Sequence, residues 1–300
     1  MRVPWIAALL LASCAGSSAA QGLPTTAPSG AREEIPMEVR RPAGPGPFPA
    51  VVILHDCSGL GPRSSGAPGR WAAELVAQGY VTVMPDSFST RGFPSGVCVE
   101  GATSRNDVSP ARRVLDAYAA LAQLRTLPYV DGRRVGVMGG SHGGSTTLAA
   151  MASPETDRNP FVPDRRDGFA AGVSLYPGCA GRASGWRGAR TGGISVPAGE
   201  PYLPMAPLLI LIGDKDDWTP AEPCRRLVAA SQAAGAPVSI KVYPDAHHSF
   251  DSANPVRFLP GRINANSPTG RGATTGGNPE AWQDAIREVR AFFARHLAVR

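Results

Sequence analysis

The chain has 300 residues, 43% of them hydrophobic, and a formal net charge of +6. That length holds one large domain or two small ones, and that apolar share can fill a sizeable core. The basic excess is scattered arginine, the only lysines being Lys215 and Lys241, and no basic run is interleaved with aromatics, which excludes a nucleic-acid footprint.

Residues 1–20 read as a signal segment: Arg2 is a minimal basic region, Val3 to Leu11 is apolar, and small residues follow. The apolar run is too short for a permanent membrane span. Leu11-Ala12-Ser13-Cys14 resembles a bacterial lipobox, which predicts cleavage before Cys14 and a lipid on that cysteine. Ser18-Ala19-Ala20 before Gln21 offers an ordinary cleavage site instead. Either route exports the protein, to the periplasm, to the cell envelope through an N-terminal lipid, or to the medium. Membrane attachment is expected through that lipid alone. Residues 21–34, rich in Pro, Ser, Thr and Gly, read as a flexible tether, and a single domain is expected over 35–300.

Ile35 to Arg40 alternates as an edge strand would, and the continuous apolar run Ala50 to Leu54 predicts a central strand covered on both faces. It ends in the polar loop His55 to Gly61. Trp71, Leu75 and Val76 follow helical spacing, with Gly79 as a C-terminal stop. Tyr80 to Met84 is the next strand, and the loop 85–107 is of a length usually found at sites or lids. A helix is expected to open near Ser109-Pro110, with Val114, Tyr118, Leu121 and Leu124 on its apolar face. Val135, Val137 and Met138 form a further strand, followed by helix-competent Ser145 to Ala152. Strands are read at Phe169–Tyr176, Leu208–Ile212 and Val238–Tyr243, and a helix at Leu227–Ala234. Residues 255–279 read as a Gly/Pro/Asn-rich insertion, and a helix with Trp282, Ile286, Val289 and Phe293 on one face closes the chain. Strands alternating with helices predict a doubly wound, mostly parallel sheet.

Four of the five cysteines fall in the mature domain, and an even count in an oxidising compartment predicts two disulfides. Of the three pairings, Cys57–Cys98 with Cys179–Cys224 is favoured, since both members of each pair follow predicted strands. The histidines and cysteines lack metal-ligand spacing, so no metal or other cofactor is expected.

Gly139-x-Ser141-x-Gly143 is a G-x-S-x-G pattern between a strand and a helix, the context of a nucleophile elbow. Two later strand ends carry chemistry: Gly213 to Pro220, with three aspartates, and Asp245-Ala246-His247-His248-Ser249-Phe250. A hydroxyl needs a base, and the base needs an orienting acid. The order Ser, Asp, His is the one this architecture uses.

From about Ile35 to its C-terminus the chain resembles the dienelactone hydrolase family. The resemblance is carried by the serine turn, the Gly-x-x-Asp-x-x-x-Pro acid loop and the His-Ser-Phe near the last strand. It implies an α/β-hydrolase fold, a doubly wound and mostly parallel sheet with helices on both faces. It also implies a triad of Ser141, Asp216 (with Asp217 as the rival acid) and His248, and an oxyanion hole made by the backbone amides of Cys57 and His142. Asp56 matches a carboxylate position near the family's nucleophile, and Arg91 lies near one of its substrate-binding arginines. The chain departs from the family in two ways. Serine replaces the family's cysteine nucleophile, and Ser252 stands four residues past His248, where the second arginine would be. The resemblance therefore speaks to fold and mechanism more than to substrate. The expected reaction is cleavage of a carboxylic ester through an acyl-enzyme. Thioesters, peptides or polymer esters are alternatives on the same triad, and a catalytically silent binding protein is the alternative from another class.

Overall fold

The computed structural model describes residues 19–27, 29–99, 108–153, 168–179 and 201–298. In chain order these form β1 (Ala19–Thr26), β2 (Arg32–Arg40), β3 (Phe48–Leu54), α1 (Ala67–Ala77), β4 (Val81–Pro85), α2 (Arg113–Thr126), β5 (Val130–Gly140) and α3 (His142–Met151). There follow β6 (Ala171–Leu175), β7 (Leu208–Gly213), α4 (Ala221–Ala233), β8 (Val238–Tyr243), β9 (Arg257–Ile263), β10 (Arg271–Thr275) and α5 (Pro279–His296). Cys14 and most of the signal segment lie outside the described residues, as do part of the expected loop 85–107 and residues 180–200.

The main sheet runs in the order β1-β2-β4-β3-β5-β6-β7-β8. The six strands from β4 to β8 are mutually parallel. Two antiparallel strands, β2 and β1, finish one edge. The all-apolar segment Ala50–Leu54 of β3 is buried between β4 and β5, as a strand without alternation must be. Strand β5 shows that helices cover both faces. A side chain on Gly136 would meet Phe293 and Leu297 around the end of α5, whereas one on Gly139 would meet Gly143 of α3. Residues an odd number apart on a strand point to opposite faces. On the α5 face, α1 and α5 join through Trp71 and Trp282, with ring centroids 4.6 Å apart.

Helix α5 follows directly from its sequence. Ala281, Ala285, Val289 and Phe293 recur every fourth residue and are buried. The Asn278 side chain accepts from the Ala281 amide at 3.1 Å, and Pro279 occupies the first turn. Helix α2 starts at Arg113, later than Ser109-Pro110 suggests, although the Ser109 carbonyl accepts from the Arg113 amide and closes the turn before it.

Two segments differ from the sequence reading. Residues 21–34 are not a tether. They complete β1 and begin β2, paired in continuous register from Ala19↔Val39 to Thr26↔Arg32. Leu23 and Thr25 alternate into the core, and Thr25 Oγ1 donates to Asp116 of α2 at 3.1 Å. The misleading residue is Pro24, which an edge strand tolerates because one side of its backbone needs no partner. Likewise 255–279 is not plain loop, since β9 and β10 pair as an antiparallel ribbon. The two expected disulfides, Cys57–Cys98 and Cys179–Cys224, are both present.

Candidate active site

Strand order reverses beside β3, with β4 on one side and β5 on the other. Side chains gathered beyond the carboxyl ends of these strands converge there. Ser141 follows β5 with φ 54° and ψ −115°, a conformation that costs an L-residue energy. Two glycines make the turn possible. A Cβ on Gly139 would lie 2.6 Å from the Leu54 carbonyl oxygen, and one on Gly143 would collide with the same atom. The Ser141 amide donates to the Leu175 carbonyl at 2.9 Å, anchoring the turn to β6.

The other two members arrive on the loops after β7 and β8. Ser141 Oγ lies 2.8 Å from His248 Nε2, and His248 Nδ1 lies 2.8 Å from Asp216 Oδ2. The carboxylate can only accept, so Nδ1 carries the proton and Nε2 faces the serine as an acceptor. Asp216 Oδ1 accepts from the amides of Trp218 (3.0 Å) and Thr219 (2.7 Å), and Thr219 Oγ1 lies 2.9 Å from Oδ2. These bonds fix the carboxylate's orientation. The His248 ring packs edge-on against Tyr176 and at a tilt against Trp218, with centroids 4.9 and 4.8 Å away. All three side chains are nearly excluded from solvent.

The rival acid is occupied elsewhere. Asp217 accepts from Thr274 through the amide (2.8 Å) and hydroxyl (2.7 Å), pinning the β9–β10 ribbon to the acid loop. Trp218 Nε1 donates to the Ile263 carbonyl at 2.8 Å, and the Gly276 amide donates to the His248 carbonyl at 3.0 Å. The insertion thus braces both loops that carry Asp216 and His248. His247 turns away, its Nδ1 3.1 Å from the Lys215 carbonyl.

His142 is the first residue of α3, so its amide belongs to a helix N-terminus. Cys57 lies in the loop after β3, tied by its disulfide to Cys98. Asp56 is hydrogen-bonded within its own loop. Its Oδ1 accepts from the Ser58 amide at 2.7 Å and its Oδ2 from the Ser65 hydroxyl, which makes it the cap of the loop that carries Cys57.

Arg91 has a different task from the substrate contact the resemblance implied. Nε and Nη2 donate to Glu33, and Nη1 and Nη2 donate to Asp116. Nη1 also donates to the Ser87 carbonyl. All five guanidinium donors are spent, so none is left for a substrate carboxylate. Arg112 joins the cluster through Glu33 and Asp116. Burial pushes the Asp116 carboxyl upward, but hydrogen bonds from Arg91 and the charges of Arg91 and Arg112 outweigh it and hold the group below the usual carboxylate range. The cluster locks β2 and α2 together.

Several residues at the site carried no sequence signal. Tyr176, with φ 36°, donates its hydroxyl to Asp251 at 2.8 Å, and Trp71 donates to the other oxygen of the same carboxylate at 2.8 Å. Desolvation raises the Asp251 carboxyl despite these two bonds. The three residues belong to distant stretches of chain, and only the fold brings them behind the Ser141 turn. Among the described residues, no cluster of three or more His, Cys, Asp or Glu could hold a metal ion, and no helix is long and apolar enough to cross a membrane.

Comparison with known proteins agrees with this arrangement. Residues 35–297 match the profile of the Dienelactone hydrolase family. A relative from Azospirillum brasilense, named "Putative carboxymethylenebutenolidase", is 26% identical over 90% of this chain and 97% of its own length. One from Methylorubrum extorquens with the same name is 26% identical over 72% of this chain and 68% of its own. Among solved structures, a "Putative Dienelactone Hydrolase" from Klebsiella pneumoniae superposes with a TM-score of 0.62 at 22% identity, covering 92% of this chain and 99% of that one. Esterase 2 of Thermogutta terrifontis, in a form phosphorylated by paraoxon, gives 0.62 at 18% identity, covering 94% and 96%. The architecture is the α/β-hydrolase fold.

Proposed function

The chain belongs to the dienelactone hydrolase family, and from that premise we propose that it is a serine hydrolase that cleaves carboxylic esters through an acyl-enzyme on Ser141. The observation that carries this is the chain of two 2.8 Å contacts from Ser141 through His248 to Asp216, set on a strained strand-to-helix turn. His248 Nε2 takes the Oγ proton as the serine attacks the ester carbonyl. Asp216 stabilises the imidazolium that forms and keeps the ring in the productive tautomer. The amides of His142 and Cys57 donate to the developing oxyanion. His248 then gives its proton to the departing alcohol, and a water repeats the sequence to release the acid.

That the Thermogutta esterase is phosphorylated by paraoxon supports this reading, because a phosphorylating agent reports an activated nucleophile in the same fold. The test is labelling by a fluorophosphonate together with hydrolysis of chromogenic esters over a range of acyl lengths. Stoichiometric labelling that Ser141→Ala abolishes is expected. An unreactive folded protein would mean that the fold serves binding instead.

The export reading rests on the signal segment and the two disulfides. Processing before Cys14 leaves β1 whole, whereas cleavage after Ala20 removes its first two residues. We therefore favour the lipidated form, and mass spectrometry of the mature N-terminus should find an acylated Cys14.

A further inference from the structure

Arg113 opens α2 and is completely buried. Its Nη1 lies 2.7 Å from Nδ1 of His142, the residue after the nucleophile, while its Nε and Nη2 have no hydrogen-bond partner among the described residues. The guanidinium lies over the Phe88 ring, 4.9 Å from its centroid. Phe88 in turn makes edge contacts with His55 (4.4 Å) and His142 (5.5 Å). The cation thus stacks on a ring that touches both the loop that carries Cys57 and the first turn of α3, the two segments whose amides would hold the oxyanion. Burial lowers this guanidinium to about 10, which still leaves it charged at neutral pH. A buried cation without a carboxylate bonded to it is costly, and an unsatisfied donor in a core calls for an explanation.

The explanation lies in what a guanidinium can do. It donates and never accepts, so the His142 Nδ1 facing it must be the acceptor and the ring proton must sit on Nε2. We propose that Arg113 is a positioning residue for the Ser141 turn: by donating to Nδ1 it locks His142 as a neutral Nε2–H imidazole and holds the first turn of α3 against the loop of Cys57. This rests on the reading of Ser141 as the nucleophile. A proton on Nδ1 would face a donor at hydrogen-bond distance, so this contact favours the Nε2–H tautomer. Among the described residues, several charged and titratable groups around the pair have partners of their own. Asp116 of α2 is bonded to Arg91, which follows β4. After β3, Asp56 is taken up by Ser58 and Ser65, and His55 by the Asp56 carbonyl and the Ser87 amide. After β4, Asp86 accepts from the Phe88 and Ser89 amides. Among the described residues, Arg113 donates to Nδ1.

The experiment is 15N NMR of histidine-labelled full-length protein across about pH 8 to pH 5, with His142→Gln to assign the resonances. In the wild type, His142 should show a bare Nδ1 and a protonated Nε2 throughout. In Arg113→Met that preference should be lost and an Nδ1–H form should appear. Steady-state hydrolysis of a chromogenic ester should show kcat lower by about ten- to a hundredfold in Arg113→Met with KM little changed, the signature of a misplaced donor and not of a lost binding contact. Arg113→Lys, which keeps charge and one donor, should recover part of that loss. A wild-type His142 whose Nδ1 carries the proton overturns the proposal, and that measurement needs no active enzyme. A folded Arg113→Met with unchanged kcat overturns it as well. Failure of the nucleophile reading is seen separately, as a wild-type protein inert to fluorophosphonate.

Discussion

His55 and His248 occupy similar places and do different things. Each sits in the loop at the carboxyl end of a sheet strand, and each is almost fully buried. The nitrogens of His55 are both taken by backbone: Nδ1 lies 2.8 Å from the Asp56 carbonyl, and Nε2 accepts from the Ser87 amide at 3.2 Å. Neither partner can trade a proton, and the ring stitches the loop after β3 to the loop after β4. Burial, reinforced by the nearby charge of Arg113, holds its pKa well below the usual histidine value. The nitrogens of His248 meet a carboxylate and a hydroxyl. Burial and position are alike in the two cases, so it is the chemistry of the partners that marks one histidine as a candidate base and the other as a strut.

The sharpest way to break this comparison is to remove each side of it. Ser141→Ala and His248→Ala should each lower kcat by about four or more orders of magnitude, whereas His55→Phe should leave fluorophosphonate labelling intact. Next comes the acid. Asp216→Asn should cost about four orders of magnitude in kcat, because an amide favours the wrong tautomer of His248. Asp217→Asn should instead loosen the β9–β10 ribbon, read as faster hydrogen exchange or proteolysis there, with a far smaller change in rate. The reverse ranking would reassign the acid.

A smaller effect belongs to stability. In His55→Phe the Ser87 amide loses its acceptor inside the core, which should lower unfolding free energy by about 1–3 kcal/mol in denaturant titration. The smallest effect is the pH dependence. The unfolded chain binds a proton at His55 near the ordinary pKa of about 6.5, while the folded chain does not until the pH is well below that. Stability is therefore full above about pH 6.5. From His55 it then falls by at most about 1.4 kcal/mol per unit as the pH drops, until the depressed folded value is reached. Comparing wild type with His55→Phe isolates that contribution. An identical slope in both would show that His55 is not held neutral.

Much of this molecule is decided by local pattern. The apolar run Ala50–Leu54 can only be a covered strand, and the spacing of Trp282, Ile286, Val289 and Phe293 already marks a helix, although its most buried residues are Ala281, Ala285, Val289 and Phe293. Gly139-x-Ser141-x-Gly143 announces a turn that no bulkier residue permits. Such features depend on a few neighbouring residues, so sequence alone determines them, and with them the serine turn and the mostly parallel sheet.

What only the tertiary structure decided depends on partners far away in the chain. Leu23 and Thr25 read as tether until β2 supplies their backbone bonds and α2 covers them. Asp216 and Asp217 are adjacent, and their roles separate only because His248 meets one and Thr274 the other. Arg91 looks like a substrate arginine until Glu33 and Asp116 take its donors. Arg113 has no local mark, because what distinguishes it is a histidine 29 residues on that accepts its hydrogen bond. A side chain's charge is written in the sequence, but which group answers that charge is settled by the folding of the chain around it.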